Sequence, residues 1–205
     1  MTIKLTVPAL AFSALLLVGC GGGGGGSDSS STDSGRASAV ADSSETSATA
    51  TESTQSETVM IEGCEVDIYQ AAMLEQVNAA RATARSCGTE SFAAAQPLTY
   101  NCPIEAAATA HSQDMATNNF FSHIGSDGLR VGARATATEY DWSVVGENIA
   151  AGYDEVETVM DAWLESQGHC RNIMDPRFTE FAVTRVDAIN VDYENYWTQV
   201  FATPQ

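Results

Sequence analysis

Apolar residues recur at helical spacing in three stretches of this chain and at every second position in two later ones. In Asp67 to Arg85 the repeat is Met73, Val77, Ala80 and Ala84, and Cys87-Gly88 stops it, which predicts a first helix. Ser91 to Leu98 carries no period and reads as a loop. Asn101 is a good N-cap, with Pro103 just inside and Glu105 in the first turn, so a second helix starts there. Ile104, Ala107, Ala108, His111 and Met115 form its apolar face, and Asn118-Asn119 ends it. Gly125, Asp127-Gly128 and Gly132 mark a loop, with a short helical piece near Ala133 to Thr138 after it. The strongest stripe is Val156, Val159, Met160, Trp163 and Leu164, capped by Asp154 and stopped by Gly168; Cys170 to Met174 adds a further turn. Beyond Pro176 the period changes to two. Phe181 to Val191 and Tyr196 to Phe201 read as strands joined by a turn at Asp192 to Asn195, an antiparallel hairpin. Helices first and strands last, with no β-α-β repeat, predict an α+β fold.

The N-terminal quarter has a different pattern. Lys4 precedes an uncharged apolar run, Leu5 to Val18, that has the anatomy of a secretory signal and is short for a membrane span. Leu17-Val18-Gly19-Cys20 closes it and fits a bacterial lipobox, in which the Cys20 thiol is lipidated and becomes the mature N-terminus. Multiple acyl chains on that residue would anchor the chain firmly to a membrane. Six glycines follow, then Ser, Thr, Ala, Asp and Glu without an aromatic residue as far as Thr58. Such a stretch cannot bury enough apolar surface to offset its ordering entropy. The expected organisation is a signal peptide over 1–19, a lipidated cysteine and disordered tether over 20–60 with an r.m.s. span of about 35 Å, and one folded domain over 61–205.

Charge and cysteine content narrow the class. Nine basic residues face 27 acidic ones, and Lys4 is the only lysine. A surface this acidic argues against nucleic acid and against electrostatic docking on anionic lipid. Besides Cys20 there are Cys64, Cys87, Cys102 and Cys170; in an exported domain these suggest two disulfides, with three connectivities open. No Cys-x-x-Cys, His-Glu-x-x-His, Gly-x-Ser-x-Gly or phosphate-loop motif occurs, so redox, local zinc, serine-hydrolase and nucleotide chemistry lack support.

Three histidines remain as candidates for chemistry. His111 lies on the apolar face of the second helix and reads as a packed, hydrogen-bonded core residue. His123 follows Phe120-Phe121-Ser122 at a helix exit, and His169 follows Gly168. Glu147 sits in Gly146-Glu147-Asn148-Ile149-Ala150. Two imidazoles and a carboxylate brought together by folding could hold a divalent cation or act as an acid/base set.

Five segments, in order, resemble the bacterial CAP superfamily (SCP domains; cysteine-rich secretory, venom antigen and pathogenesis-related proteins). They are Val77-Asn78-Ala79-Ala80-Arg81, Phe121-Ser122-His123, Gly146-Glu147-Asn148-Ile149-Ala150, Trp163-Leu164 with Gly168-His169-Cys170-Arg171-Asn172-Ile173-Met174, and Tyr196-Trp197-Thr198-Gln199-Val200-Phe201. The resemblance spans most of 70–203. It implies an α-β-α sandwich with a central antiparallel sheet, export, and a shallow cleft with a His/Glu cluster that holds a divalent metal in some members. By position it assigns His123, Glu147 and His169 to the cleft and Tyr196 to its rim, with His123, His169 and Glu147 as the metal set, at about 2.0–2.2 Å for zinc. Tyr196 stands where eukaryotic members carry a second cleft histidine, and Ser166 where they carry another glutamate. The resemblance also pairs Cys87 with Cys170, and Cys64 with Cys102. The implied function is a tethered extracytoplasmic domain whose cleft binds a lipid, small molecule or protein. The alternatives are a metal-dependent hydrolase of the envelope and a purely structural domain. No catalytic residue is assigned.

Overall fold

The computed structural model describes residues 57–205; the signal segment, Cys20 and the tether up to Ser56 lie outside the described residues. Among the described residues the first element is a small hairpin, β1 (Thr58–Ile61) with β2 (Cys64–Asp67), which starts just ahead of the boundary expected at 61. Helix α1 (Ile68–Arg81) follows directly, and the Asp67 N–H donates to Gln70 Oε1 at its start. Met73, Val77 and Ala80 are buried, as their spacing predicts.

This helix is a turn shorter than expected. A helix running to Arg85 would use the Arg81 carbonyl as acceptor for the Arg85 N–H; instead that carbonyl accepts from Ala95 N at 2.9 Å. The chain turns into a second hairpin, β3 (Arg85–Cys87) with β4 (Glu90–Phe92), around Gly88, whose φ of 59° suits glycine. Arg81 itself is fully buried. Its guanidinium donates to the carbonyls of Gln96, Ile173, Asp175 and Phe178, tying the loop before β5 to the end of α5 and the loop after it.

Then come β5 (Thr99–Tyr100), α2 (Cys102–Asn118), α3 (Val131–Ala137), β6 (Trp142–Ala151), α4 (Val156–Glu165), α5 (Gln167–Met174), β7 (Glu180–Asp187) and β8 (Asn195–Pro204). Asn101 caps α2 by accepting from Ile104 N at 3.1 Å, and Asn119 closes it in the left-handed region. Further boundaries differ from expectation: β7 ends at Asp187, not Val191. Glu155, not Asp154, caps α4, because the Asp154 carboxylate accepts from Asn195 Nδ2. The break between α4 and α5 falls at Ser166, whose backbone is extended, and Gly168 lies inside α5.

The central sheet runs β5-β7-β8-β6. Its three long strands are antiparallel, and the two-residue β5 joins β7 in parallel at the other edge. Alternation along β8 divides the layers. Thr198 meets Ser112 of α2 on one face. Trp197 and Gln199 meet Tyr69 and Met73 of α1 on the other. The result is helix, sheet, helix, with Trp163, Phe181, Trp197, Phe201 and Ile173 fully enclosed. Both disulfides, Cys64–Cys102 and Cys87–Cys170, form as the family resemblance implied.

The sequence pattern assigns no strand to β6, nor to the short strands β1 to β5. The Gly-Glu-Asn centre of β6 lacks the apolar alternation of a half-buried strand. It forms because β8 offers a full antiparallel partner from Trp142 to Ala151, and because Trp163 Nε1 donates to the Ile149 carbonyl from α4. Gly146 is required there: a Cβ would stand 2.7 Å from Cζ of Phe178.

Candidate functional site in the cleft along the edge strand

Since β6 is an edge strand, its side chains reach the surface between the two helical layers. Register places Glu147 opposite Val200 and Asn148 opposite Gln199, so the two point to opposite faces. Glu147 points toward α2 and α3. Its carboxylate is almost fully enclosed, with 3 % of the side chain exposed. Oε1 accepts from His123 Nδ1 at 2.7 Å, and Oε2 accepts from Arg134 Nη2 at 2.5 Å. His111 Nε2 lies 3.9 Å from Oε1 and 2.9 Å from the Ser122 carbonyl.

Asn148 faces the opposite layer and does different work. Its Nδ2 donates to Gln199 Oε1 and to the His169 carbonyl, while its Oδ1 accepts from Asn172, which also bonds the Glu147 carbonyl. This ladder fastens α5 to β6 and so sets where His169 stands. His169 lines the open groove together with His123, Arg130, Ser122 and Ile124, a space of about 370 Å³. A second hollow of about 300 Å³ adjoins it, sharing Phe121, Ile149 and His169 and continuing to Tyr153, Ser166 and Tyr193. Phe121 and Tyr193 are both about half-exposed, and their rings meet at a tilt with centroids 6.0 Å apart beside this second hollow.

The predicted cleft residues therefore divide. His123 and Glu147 are bonded to each other, and His169 shares the groove with His123 from the far side of β6. Tyr196 does not reach the rim. It points toward α2, fully buried against Met115, Ala116 and Ile149, and Tyr193 lies over it at 5.9 Å and takes the rim position. The reason is parity: in β8, Tyr196 shares the inward face with Thr198 and Val200. No sequence motif marks Arg134. Its one signal is a single long cation within the small-residue helix Val-Gly-Ala-Arg-Ala-Thr-Ala, in a chain with only nine basic residues. His111, expected as a core residue, is buried but stands at the edge of the carboxylate cluster.

Comparison with known proteins accords with this arrangement. The model of the cysteine-rich secretory protein (CAP) family matches residues 74–201, a span that includes α2, the His123 loop, β6, α4, α5 and most of β8. This chain belongs to the CAP family. It is 28 % identical over 163 residues to the uncharacterized protein YkwD of Bacillus subtilis, covering 80 % of this chain and 58 % of that protein. It is 32 % identical over 104 residues to the uncharacterized membrane protein YlbC of the same organism, covering 51 % of this chain and 28 % of that protein. The chain thus spans little more than half of one relative and under a third of the other. An extracellular SCP-domain protein of Bacillus anthracis superposes with a TM-score of 0.53 at 26 % identity, over 65 % of this chain and 40 % of that one. Among the described residues no helix is long and apolar enough to cross a membrane.

The CAP metal set expected at His123, Glu147 and His169 does not assemble. No three His, Cys, Asp or Glu side chains among the described residues converge on a point that could hold a cation. Both Glu147 oxygens are engaged, one by a guanidinium, and a dication placed among these groups would meet Arg134 with like charge. His169 is held on the other helical layer by Asn148.

Burial also sets the protonation of two histidines. It pushes His111 below the ordinary imidazole range, an effect that Arg134 reinforces and Glu147 opposes. Burial first, and then the nearby His123, lower His169 likewise. Both rings bind protons less readily folded than unfolded, where histidine titrates near about 6.5. Stability is therefore expected to fall as pH drops below that value, because the unfolded chain takes up more protons. Thermal midpoints between pH 7.5 and 5.5 measure the slope. His169→Gln should flatten it, and an unchanged slope would refute the assignment for that ring.

Proposed function

We propose that this chain is a lipid-anchored extracytoplasmic CAP domain that binds a small amphiphilic ligand in the groove along β6. The observation that carries this reading is the continuity of two unlike hollows. One presents His123, His169 and Arg130; the other presents Phe121, Tyr153 and Tyr193. A molecule with a polar head and an apolar body would use both, and a preformed, mostly apolar hollow with a few polar groups is the usual form of a small-ligand site. The anchor is the Cys20 thiol, and residues 20–56 act as the tether between membrane and domain. The acidic surface keeps the domain off anionic headgroups and nucleic acid, so the acyl chains supply the membrane affinity.

One preparation tests both halves. The full chain is purified from the membrane fraction, its intact mass is measured, and the aromatic anion anilinonaphthalene sulfonate is titrated into it. Acyl mass on an N-terminal Cys20 and saturable binding, weakened at least tenfold by Phe121→Ser with Tyr193→Ser at unchanged thermal midpoint, are the expected results. A mature form beginning elsewhere overturns the anchor. Binding indifferent to the two aromatic residues overturns the groove and leaves a structural envelope domain as the better account.

A further inference from the structure

We infer that Arg134 is the resident cation of this cleft and that it bars a divalent metal from Glu147. The inference does not depend on what the groove binds. It rests on how the guanidinium is held. Arg134 projects from α3 with 9 % of its side chain exposed, donates through Nη1 to the Leu129 carbonyl at 3.1 Å, and meets Glu147 Oε2 through Nη2. Two anchor points at this burial hold the guanidinium against the carboxylate.

The charge balance of the pocket is then complete. One carboxylate faces one guanidinium, and His111 beside them is enclosed and held toward its neutral form. Adding a dication would leave uncompensated positive charge in a site shielded from water, a cost that coordination by one shared carboxylate does not offset. Arginine is suited to this role because its planar fork stays charged at every physiological pH and is weakly hydrated. A histidine or water in its place would leave Oε2 open. With the guanidinium gone, Glu147 and the half-exposed His123 can turn to a common point beside His111, a carboxylate and two imidazoles of the kind zinc accepts.

Isothermal titration of Zn²⁺ into metal-free protein, paired with thermal midpoints, tests this in three chains. They are the parent, Arg134→Gln, and the double variant Arg134→Gln with Glu147→Gln. Glutamine keeps a polar side chain on α3, removes the charge and is too short to cover Oε2 as the Nη2 group does. The expected result is no heat and no midpoint change for the parent, one equivalent of Zn²⁺ and a raised midpoint for Arg134→Gln, and loss of both in the double variant. Zinc uptake by the parent equal to that of Arg134→Gln overturns the inference, as does uptake by Arg134→Gln no greater than by the double variant. If Arg134→Gln does not fold in metal-free buffer, refolding replaces the titration. Near-UV circular dichroism recovered with Zn²⁺ and lost again with EDTA supports the inference, and failure to recover with Zn²⁺ overturns it.

Discussion

Glu147→Ala should destabilise the folded domain by about 3–5 kcal/mol, the range for removing one partner of a buried ion pair. The carboxylate is the counter-charge for Arg134 and the acceptor for His123 Nδ1. Without it the guanidinium stays enclosed, held by the Leu129 carbonyl, with an Nε that already lacks a hydrogen-bond partner. Most of the cost is this stranded charge. His123 contributes less, since its side chain is 45 % exposed and water replaces the lost bond. The comparison that isolates the cause is the double change Arg134→Met with Glu147→Leu. Replacing both members by apolar groups removes the stranded charge and should recover most of the loss. Urea unfolding of the parent and the two variants measures all three. A loss below about 1 kcal/mol for Glu147→Ala would mean that Arg134 finds another partner and the cluster is no anchor.

Removing the Cys87–Cys170 bond, by changing both cysteines to alanine, should cost about 4–5 kcal/mol in the chain-entropy account of cross-links. The bond joins residues 83 apart, against 38 for Cys64–Cys102, so it withdraws more freedom from the unfolded chain. Against a total stability of about 5–15 kcal/mol for an ordinary domain, that leaves little margin. Little else holds this contact. Glu90 also pairs with Arg171 and Gln167 across it, but those groups are exposed and contribute little. The bond also bears on the groove, because Cys170 adjoins His169 on α5. Chemical denaturation of the parent, this variant and the Cys64/Cys102 counterpart, all under oxidising conditions, gives the order. A smaller loss for 87–170 than for 64–102 would refute the loop-length argument.

Glu147 shows why one residue is legible in the sequence and its partner is not. Its place between glycine and asparagine, and the family resemblance of that segment, mark it from the residues alone. Gly146 makes room for the Phe178 ring, and Asn148 fastens α5 through its amide. Arg134 belongs to no local motif and acquires its role from a carboxylate 13 residues away, brought near by α3 packing on β6. Tyr196 shows the converse error. Position in the family pattern assigns it to the rim, but strand parity in β8 turns it inward, and Tyr193 occupies the rim.

The same division runs through the fold. Helices α1, α2 and α4 are predictable because a helix buries one stripe, and that stripe is written at fixed spacing in the sequence itself. Asn101 and Asn119 at the ends of α2 act through bonds to residues a few positions away, so they too are readable. The strands β7 and β8 alternate visibly, since each meets different neighbours on its two faces. Local chemistry thus determined the helices, the caps of α2, the last hairpin and the α+β class. Strand β6, the early end of α1, the break at Ser166 and the Arg134–Glu147 pair were decided by tertiary contacts. Each depends on a partner distant in sequence: β8 for the edge strand, Ala95 for the last carbonyl of α1, α3 for the carboxylate. A polar segment such as Gly-Glu-Asn becomes a strand only when a neighbouring strand satisfies its backbone, and no period in its own residues can announce that.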